Sequence, residues 1–126
     1  LGKSIRGMSK ERFNDTIKDA LANRKAIGVS IGVVSSSGHI ETIWGAEFDE
    51  NGDIAYIYMS DNNDRDLFES DGIGCGRYQI VYGTYPEGGT YTGYLTGYIG
   101  STKPVNIVGL TIIELGEEYW KRYFGL

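Results

Sequence analysis

The sequence predicts an α+β fold in which an N-terminal helix packs on an antiparallel sheet, within a single domain spanning 1–126. Three observations carry this expectation. Residues 9–25 place apolar side chains at helical spacing, and residues 26–115 contain successive β-branched and aromatic runs separated by turn residues. The chain also holds 19 glycines and 10 tyrosines against two prolines, a composition that favours a β-rich body with many turns over a helical bundle. At 126 residues it is long enough to bury a core without disulfide or metal staples.

The helix is read from 9-SKERFNDTIKDALANRK-25, where Ser9 is an N-cap and Phe13, Ile17, Ala20 and Leu21 share one face. Arg24 and Lys25 suit the negative end of its dipole. Next, 26-AIGVSIGVV-34 alternates, with Ile27, Val29, Ile31 and Val33 on one side and Gly28, Ser30 and Gly32 on the other. The small side allows close approach, either of the helix or of a substrate.

A turn at 35-SSSG-38 precedes a strand over 39-HIETIWGAEF-48, whose apolar face is expected to be Ile40, Thr42, Trp44, Ala46 and Phe48. Turn residues 49-DENGD-53 then lead into 54-IAYIYMS-60, the clearest hairpin in the chain. The segment 61-DNNDRDLFESDGIG-74 is long and acidic, which marks it as functional or mobile. Further strands are expected at 77–85, 91–100 and 105–115, and the tail 116–126 contains 117-EEYWKRYF-124, a short helix or extended arm. Tyr91, Tyr94 and Tyr98 recur beside glycines and read as sheet packing or as a sugar platform.

Charge and composition exclude several functions. A net charge of −5 argues against nucleic acid, because an acidic surface repels phosphates instead of releasing their counterions. The single cysteine, Cys75, rules out an internal disulfide, and one Cys with one His cannot build a four-ligand Cys/His zinc site, so no metal is expected. The longest apolar run, 105-VNIVGLTII-113, is strand-sized, so no membrane span is expected. The chain opens at Leu1 without an initiator Met or a signal-peptide pattern, which is read as removal of an upstream segment.

The sole histidine, His39, heads the hairpin. Opposed residues of an antiparallel pair have numbers summing to a constant, so His39 faces Asp61 in one register and Asp64 in the other. A carboxylate on one imidazole nitrogen fixes the tautomer and leaves the other nitrogen to activate a nucleophile. The same spacing also fits a polar residue at a strand end followed by an acidic loop. Cys75, within 72-GIGCG-76, is either a thiolate partner or an incidental small residue at a strand start.

His39, 43-IWGAEFD-49, Asn51-Gly52 and 57-IYMSD-61, taken together, resemble the secreted, virulence-related immunoglobulin-degrading cysteine endopeptidases of the IdeS/Mac family of papain-like peptidases. The similarity extends to the preceding helix and glycine-bearing strand, and to 106-NIVGLTIIELGEEYW-120. The resemblance implies the fold of the C-terminal subdomain of a papain-like peptidase, with His39 as general base and acid and Asp61 orienting it. Family members carry a second acidic residue two positions later. Here that position is Asn63, whose amide can still accept a hydrogen bond.

In this family the nucleophilic Cys precedes the His, whereas Cys75 follows it, so the resemblance assigns no nucleophile within this chain and implies no cofactor. It implies a protein substrate such as an immunoglobulin, a Cys-bearing N-terminal half as partner, and secretion or display by a bacterium. Trp44 is a supporting candidate, either sheltering the site or packing in the core. The competing expectations are a non-catalytic protein- or glycan-binding module, and an adhesion or regulatory domain that has lost the chemistry.

Overall fold

The structure is a computed structural model of the chain, and it describes residues 8–32, 39–60, 75–95 and 104–126. The element order is α1 (Lys10–Ala22), β1 (Ala26–Gly32), β2 (His39–Phe48), β3 (Ile54–Ser60), β4 (Cys75–Thr84), β5 (Thr90–Leu95), β6 (Val105–Ile113) and α2 (Glu117–Phe124).

The six strands form a closed barrel in sequence order, with every neighbouring pair antiparallel. This corrects the expectation of a helix packed on an open sheet. Closure is made by β1 pairing with β6, from Ala26↔Ile113 to Gly32↔Asn106. Alternation along a strand is the same in an open sheet and in a barrel, so the pattern that locates the strands carries no information about whether the edges meet. Register shifts at Ser30/Ile31, Ile43/Gly45 and Glu47/Phe48 interrupt the ladders, and such irregularities bend strands enough for a sheet to curl on itself.

The last seam to close, β5 to β6, is short among the described residues, with Gly93↔Asn106 and Tyr94↔Val105 as partners. A Cβ at position 93 would lie 2.6 Å from the carbonyl oxygen of Val105. Only glycine lets the two backbones come this near.

Inside the barrel lie Ile27, Val29, Ile31, Ile43, Ile57, Met59, Ile80 and Ile107, with Tyr78 and Tyr94 in an edge-to-face pair at 5.3 Å between centroids. Tyr94 is therefore core rather than platform; Tyr98 lies outside the described residues. As expected, Ile27, Val29 and Ile31 are the buried side of β1; Val33 lies outside the described residues.

Helix α1 starts after Ser9, whose side chain accepts from the Arg12 N–H at 3.3 Å, and it buries Phe13, Ile17 and Ala20. Its contacts place it over one end of the barrel: Phe13 meets Tyr82 of β4, Lys18 sits over the ring of Phe48 that ends β2, and Asn14 binds Ile54 that begins β3. That polar link is compact. Asn14 Oδ1 accepts from Ile54 N at 2.7 Å, Asn14 Nδ2 donates to the Tyr82 hydroxyl at 3.0 Å, and Tyr82 donates to Ile54 O at 2.6 Å.

The β2–β3 hairpin turns at the same end. Asp49 Oδ1 accepts from Asn51 N and Asp53 N, each at 2.9 Å, and Gly52 takes the left-handed conformation with φ 79°. Lys10 reaches across to Asp53 at 2.7 Å, and that bond to the carboxylate raises its pKa. Helix α2, the tail segment expected as helix or arm, buries none of its residues. Tyr119, Trp120, Tyr123 and Phe124 contact one another and are all exposed.

Candidate functional site

The site is built from strand alternation and register. Ile27↔Ile43, Val29↔Glu41 and Ile31↔His39 are opposed on β1 and β2, and residues directly opposite in an antiparallel pair point to the same face. Because Ile27, Val29 and Ile31 point inward, so do Ile43, Glu41 and His39. Ile40 and Trp44 are then turned out and are 65% and 54% exposed; beyond the shift at Ile43/Gly45 the alternation changes, and Ala46 and Phe48 lie opposite the buried Ile57 and Ile54.

Of the expected apolar face of β2, Ile40, Thr42 and Trp44 are thus on the outer side, whereas Ala46 packs against the core. Trp44 is neither a core residue nor a screen over the histidine; it stacks outside on Tyr58 with centroids 5.3 Å apart. A one-residue change of register exchanges the two faces of a strand. That register depends on the connection 33–38, which no periodicity specifies.

His39 opens β2 at the end of the barrel opposite α1. Its side chain is 26% exposed, and its Nε2 contacts Oε1 of Glu41, whose side chain is 4% exposed. A carboxylate enclosed by apolar walls is costly unless charge or polarity meets it, and the imidazole lies against it from two residues away on the same strand. Glu41 was not singled out from the sequence. The available signal was its period of two from His39, which places both side chains on one face.

The β2–β3 ladder follows Gly45↔Tyr58 and Ala46↔Ile57, then shifts by one to Thr42↔Ser60, short of His39. Asp61, Asn63 and Asp64 lie outside the described residues. Cys75 begins β4 opposite Ser60, so its backbone is two strands away from β2 and level with Thr42. That separation is roughly 10 Å across the strands and roughly 10 Å along them to His39.

Among the described residues no group of three His, Cys, Asp or Glu side chains is arranged to hold a metal ion. No helix among them is long and apolar enough to cross a membrane. A broad cleft lies between the end of α1 and the start of α2, lined by Arg24, Lys25, Glu114 and Glu117 among others. It sits at the helix end of the barrel, away from His39.

The outer wall carries a second polar arrangement. Arg77 of β4 lies 3.4 Å from the centroid of the Tyr56 ring and pairs with Glu47, which also accepts from the Tyr58 hydroxyl at 3.0 Å. The guanidinium first, and the Tyr58 hydroxyl after it, hold the Glu47 carboxyl below its ordinary value. These groups brace β2, β3 and β4 from outside.

Comparison with known proteins gives the context for this geometry. The family model Mac 1 matches residues 1–120. The protein named IgM protease from Streptococcus suis (strain P1/7) is 26% identical over 117 residues, covering 92% of this chain and 10% of the relative. The chain therefore spans about a tenth of that relative's length. With a family model that matches nearly its whole length, the chain belongs to the Mac 1 family.

Proposed function

We propose that this chain is the histidine-bearing half of a secreted bacterial cysteine endopeptidase of the papain-like kind, acting on a protein substrate of the immunoglobulin class. The observation that carries the reading is the placement of the only histidine: it stands at the barrel end away from α1, part-exposed, with one ring nitrogen against a buried carboxylate. Family membership supports protease chemistry, and the relative's name, IgM protease, supports an immunoglobulin as the substrate.

In this mechanism His39 is the general base and acid. It holds the nucleophilic thiol as a thiolate–imidazolium pair, donates that proton to the amine leaving the scissile peptide, and takes a proton from the water that hydrolyses the acyl-enzyme. Asp61 keeps the ring oriented, with Asn63 in support, as the resemblance to the family implies. The nucleophile and the oxyanion donors come from a Cys-bearing half outside this chain. The strand register supports leaving Cys75 out of that role, since its backbone and that of His39 are separated by both a strand and a ladder offset.

The test uses the longer protein that contains this chain. Incubated with immunoglobulins G, M and A, it is expected to yield discrete fragments, and His39→Ala is expected to abolish them while the melting temperature stays close to that of the parent. Unchanged cleavage by His39→Ala would remove the reading.

The exposed aromatic face of α2 favours a second reading, a non-catalytic protein-binding module, because clustered surface aromatics mark interaction sites. It predicts binding without fragmentation.

A further inference from the structure

We infer that α2 is a self-association element: its aromatic face packs antiparallel against the α2 of a second copy of this chain. Three observations carry the inference.

The first is the helix itself. It runs for 8 residues, Glu117–Phe124, has no side-chain bond at its N-cap and buries none of its residues. Helices shorter than about 12–15 residues are marginal in water unless they pack on something. Instead of packing on the barrel, Tyr119, Trp120, Tyr123 and Phe124 stack on one another and are 58%, 49%, 68% and 64% exposed. Leu115, which lines the cleft beside Tyr119, is 60% exposed as well.

The second is area. An aromatic side chain carries about 150–250 Å², so the exposed parts of these four rings come to roughly 500 Å² per copy. A monomer's largest apolar patch is typically about 300–600 Å². Counted over both copies, a two-fold contact of this face with itself reaches the roughly 1,000 Å² that a specific interface needs.

The third is charge. Glu117 and Glu118 stand in the first turn of α2, and Lys121 and Arg122 in the last. Helical spacing puts Glu117 with Lys121, and Glu118 with Arg122, along the polar flanks of the aromatic stripe. An antiparallel partner sets acidic turn against basic turn, and the opposed helix dipoles favour the same order. A parallel partner would set like charges side by side.

The Cys-bearing half of the proposed peptidase is the other occupant to weigh, and setting it aside rests on the reading of His39 as general base. That half must bring its thiol to His39, which is opposite Ile31, whereas α2 follows the strand end at Ile113, which is opposite Ala26. The two levels are roughly 16 Å apart along β1.

The test is sedimentation velocity over a concentration series of the longer protein that contains this chain. A reversible monomer–dimer equilibrium is expected, and Trp120→Ala is expected to raise its Kd at least about 30-fold, as for a hot-spot aromatic. Two charge variants test the arrangement: Glu117→Lys with Glu118→Lys, and Lys121→Glu with Arg122→Glu. Each is expected to be monomeric alone, because its helix carries one sign, and the two are expected to associate when mixed in equal amounts.

A parent that stays monomeric at every concentration overturns the inference. So does a dimer that Trp120→Ala leaves intact, or a mixture that associates no better than either charge variant alone. If Trp120→Ala lowers the melting temperature of the whole protein, the mixture decides, since association regained on mixing does not follow from misfolding. These readouts need no substrate. A dimer that dissociates as described in a protein that leaves immunoglobulins intact keeps this inference and sinks the peptidase reading; a monomer whose cleavage depends on His39 does the reverse.

Discussion

Asn14 of α1 accepts the backbone N–H of Ile54, the first residue of β3, through Oδ1 at 2.7 Å. The bond joins positions far apart in sequence and is buried, with Asn14 only 3% exposed. It satisfies an amide at the strand start, ahead of Tyr56↔Gln79 where the β3–β4 ladder begins. Asn14→Ala leaves that N–H without its side-chain acceptor and removes one of the two hydrogen bonds of the Tyr82 hydroxyl, which keeps its bond to Ile54 O. Stranding a buried donor costs about 1–3 kcal/mol, so Asn14→Ala is expected to lower the unfolding free energy by about 2 kcal/mol in urea denaturation.

Tyr82 completes the same network and gives it a pH dependence. Burial pushes its hydroxyl pKa up to about 12 from the model-compound value of 10.0; the Asn14 amide opposes this and the Asp53 and Asp49 carboxylates add to it. The folded chain thus keeps the phenol proton where the unfolded chain has released it. The stabilisation is fully present below about pH 10 and is lost as pH rises toward about 12. The residue is part-buried, so screening leaves an effect of about 1 kcal/mol. Thermal melts of the parent are expected to fall more steeply over this window than those of Tyr82→Phe; parallel curves would show that the hydroxyl does not titrate as described.

Much of the secondary structure is legible from local pattern. The helix, its Ser9 cap, the Ile27/Val29/Ile31 face and the strands 39–48 and 54–60 all follow from periods of 3.6 and 2. Closure is not legible, because it depends on β1 meeting β6, a pairing between residues at opposite ends of the sheet sequence. The orientation of β2 is not legible either. Both of its faces hold large apolar residues, Ile43 on one and Ile40 and Trp44 on the other, and only the register against β1 selects between them. The contact between His39 and Glu41 follows from that choice, which is why the histidine was visible and its partner was not.

The inversion of β2 can be tested by stability alone. Trp44 stacks on Tyr58 but is 54% exposed, whereas Ile43 is 2% exposed beside it. Trp44→Ser is expected to cost about 1 kcal/mol or less, in the range of surface substitutions with one ring contact. Ile43→Ala is expected to cost about 2–5 kcal/mol, as for a truncated core aliphatic. A reversed order, read from chemical denaturation of both variants, would put the tryptophan inside and turn His39 and Glu41 out to solvent.

Closure itself can be tested at Gly93. The carbonyl of Val105 stands 2.6 Å from where a Cβ would be, so Gly93→Ala cannot be accommodated without separating β5 from β6. Overpacking of this kind costs about 1–3 kcal/mol. The loss should also be local, because among the described residues this seam shows two backbone pairs, while the β1–β6 ladder runs along the full length of β1. Amide exchange is therefore expected to accelerate at Tyr94 and Asn106 in Gly93→Ala and to stay slow at Val29 and Ile43. Uniform protection with undiminished stability would mean that an alanine fits there, that β5 and β6 are further apart than a closed barrel allows, and that the sheet has an edge at this point.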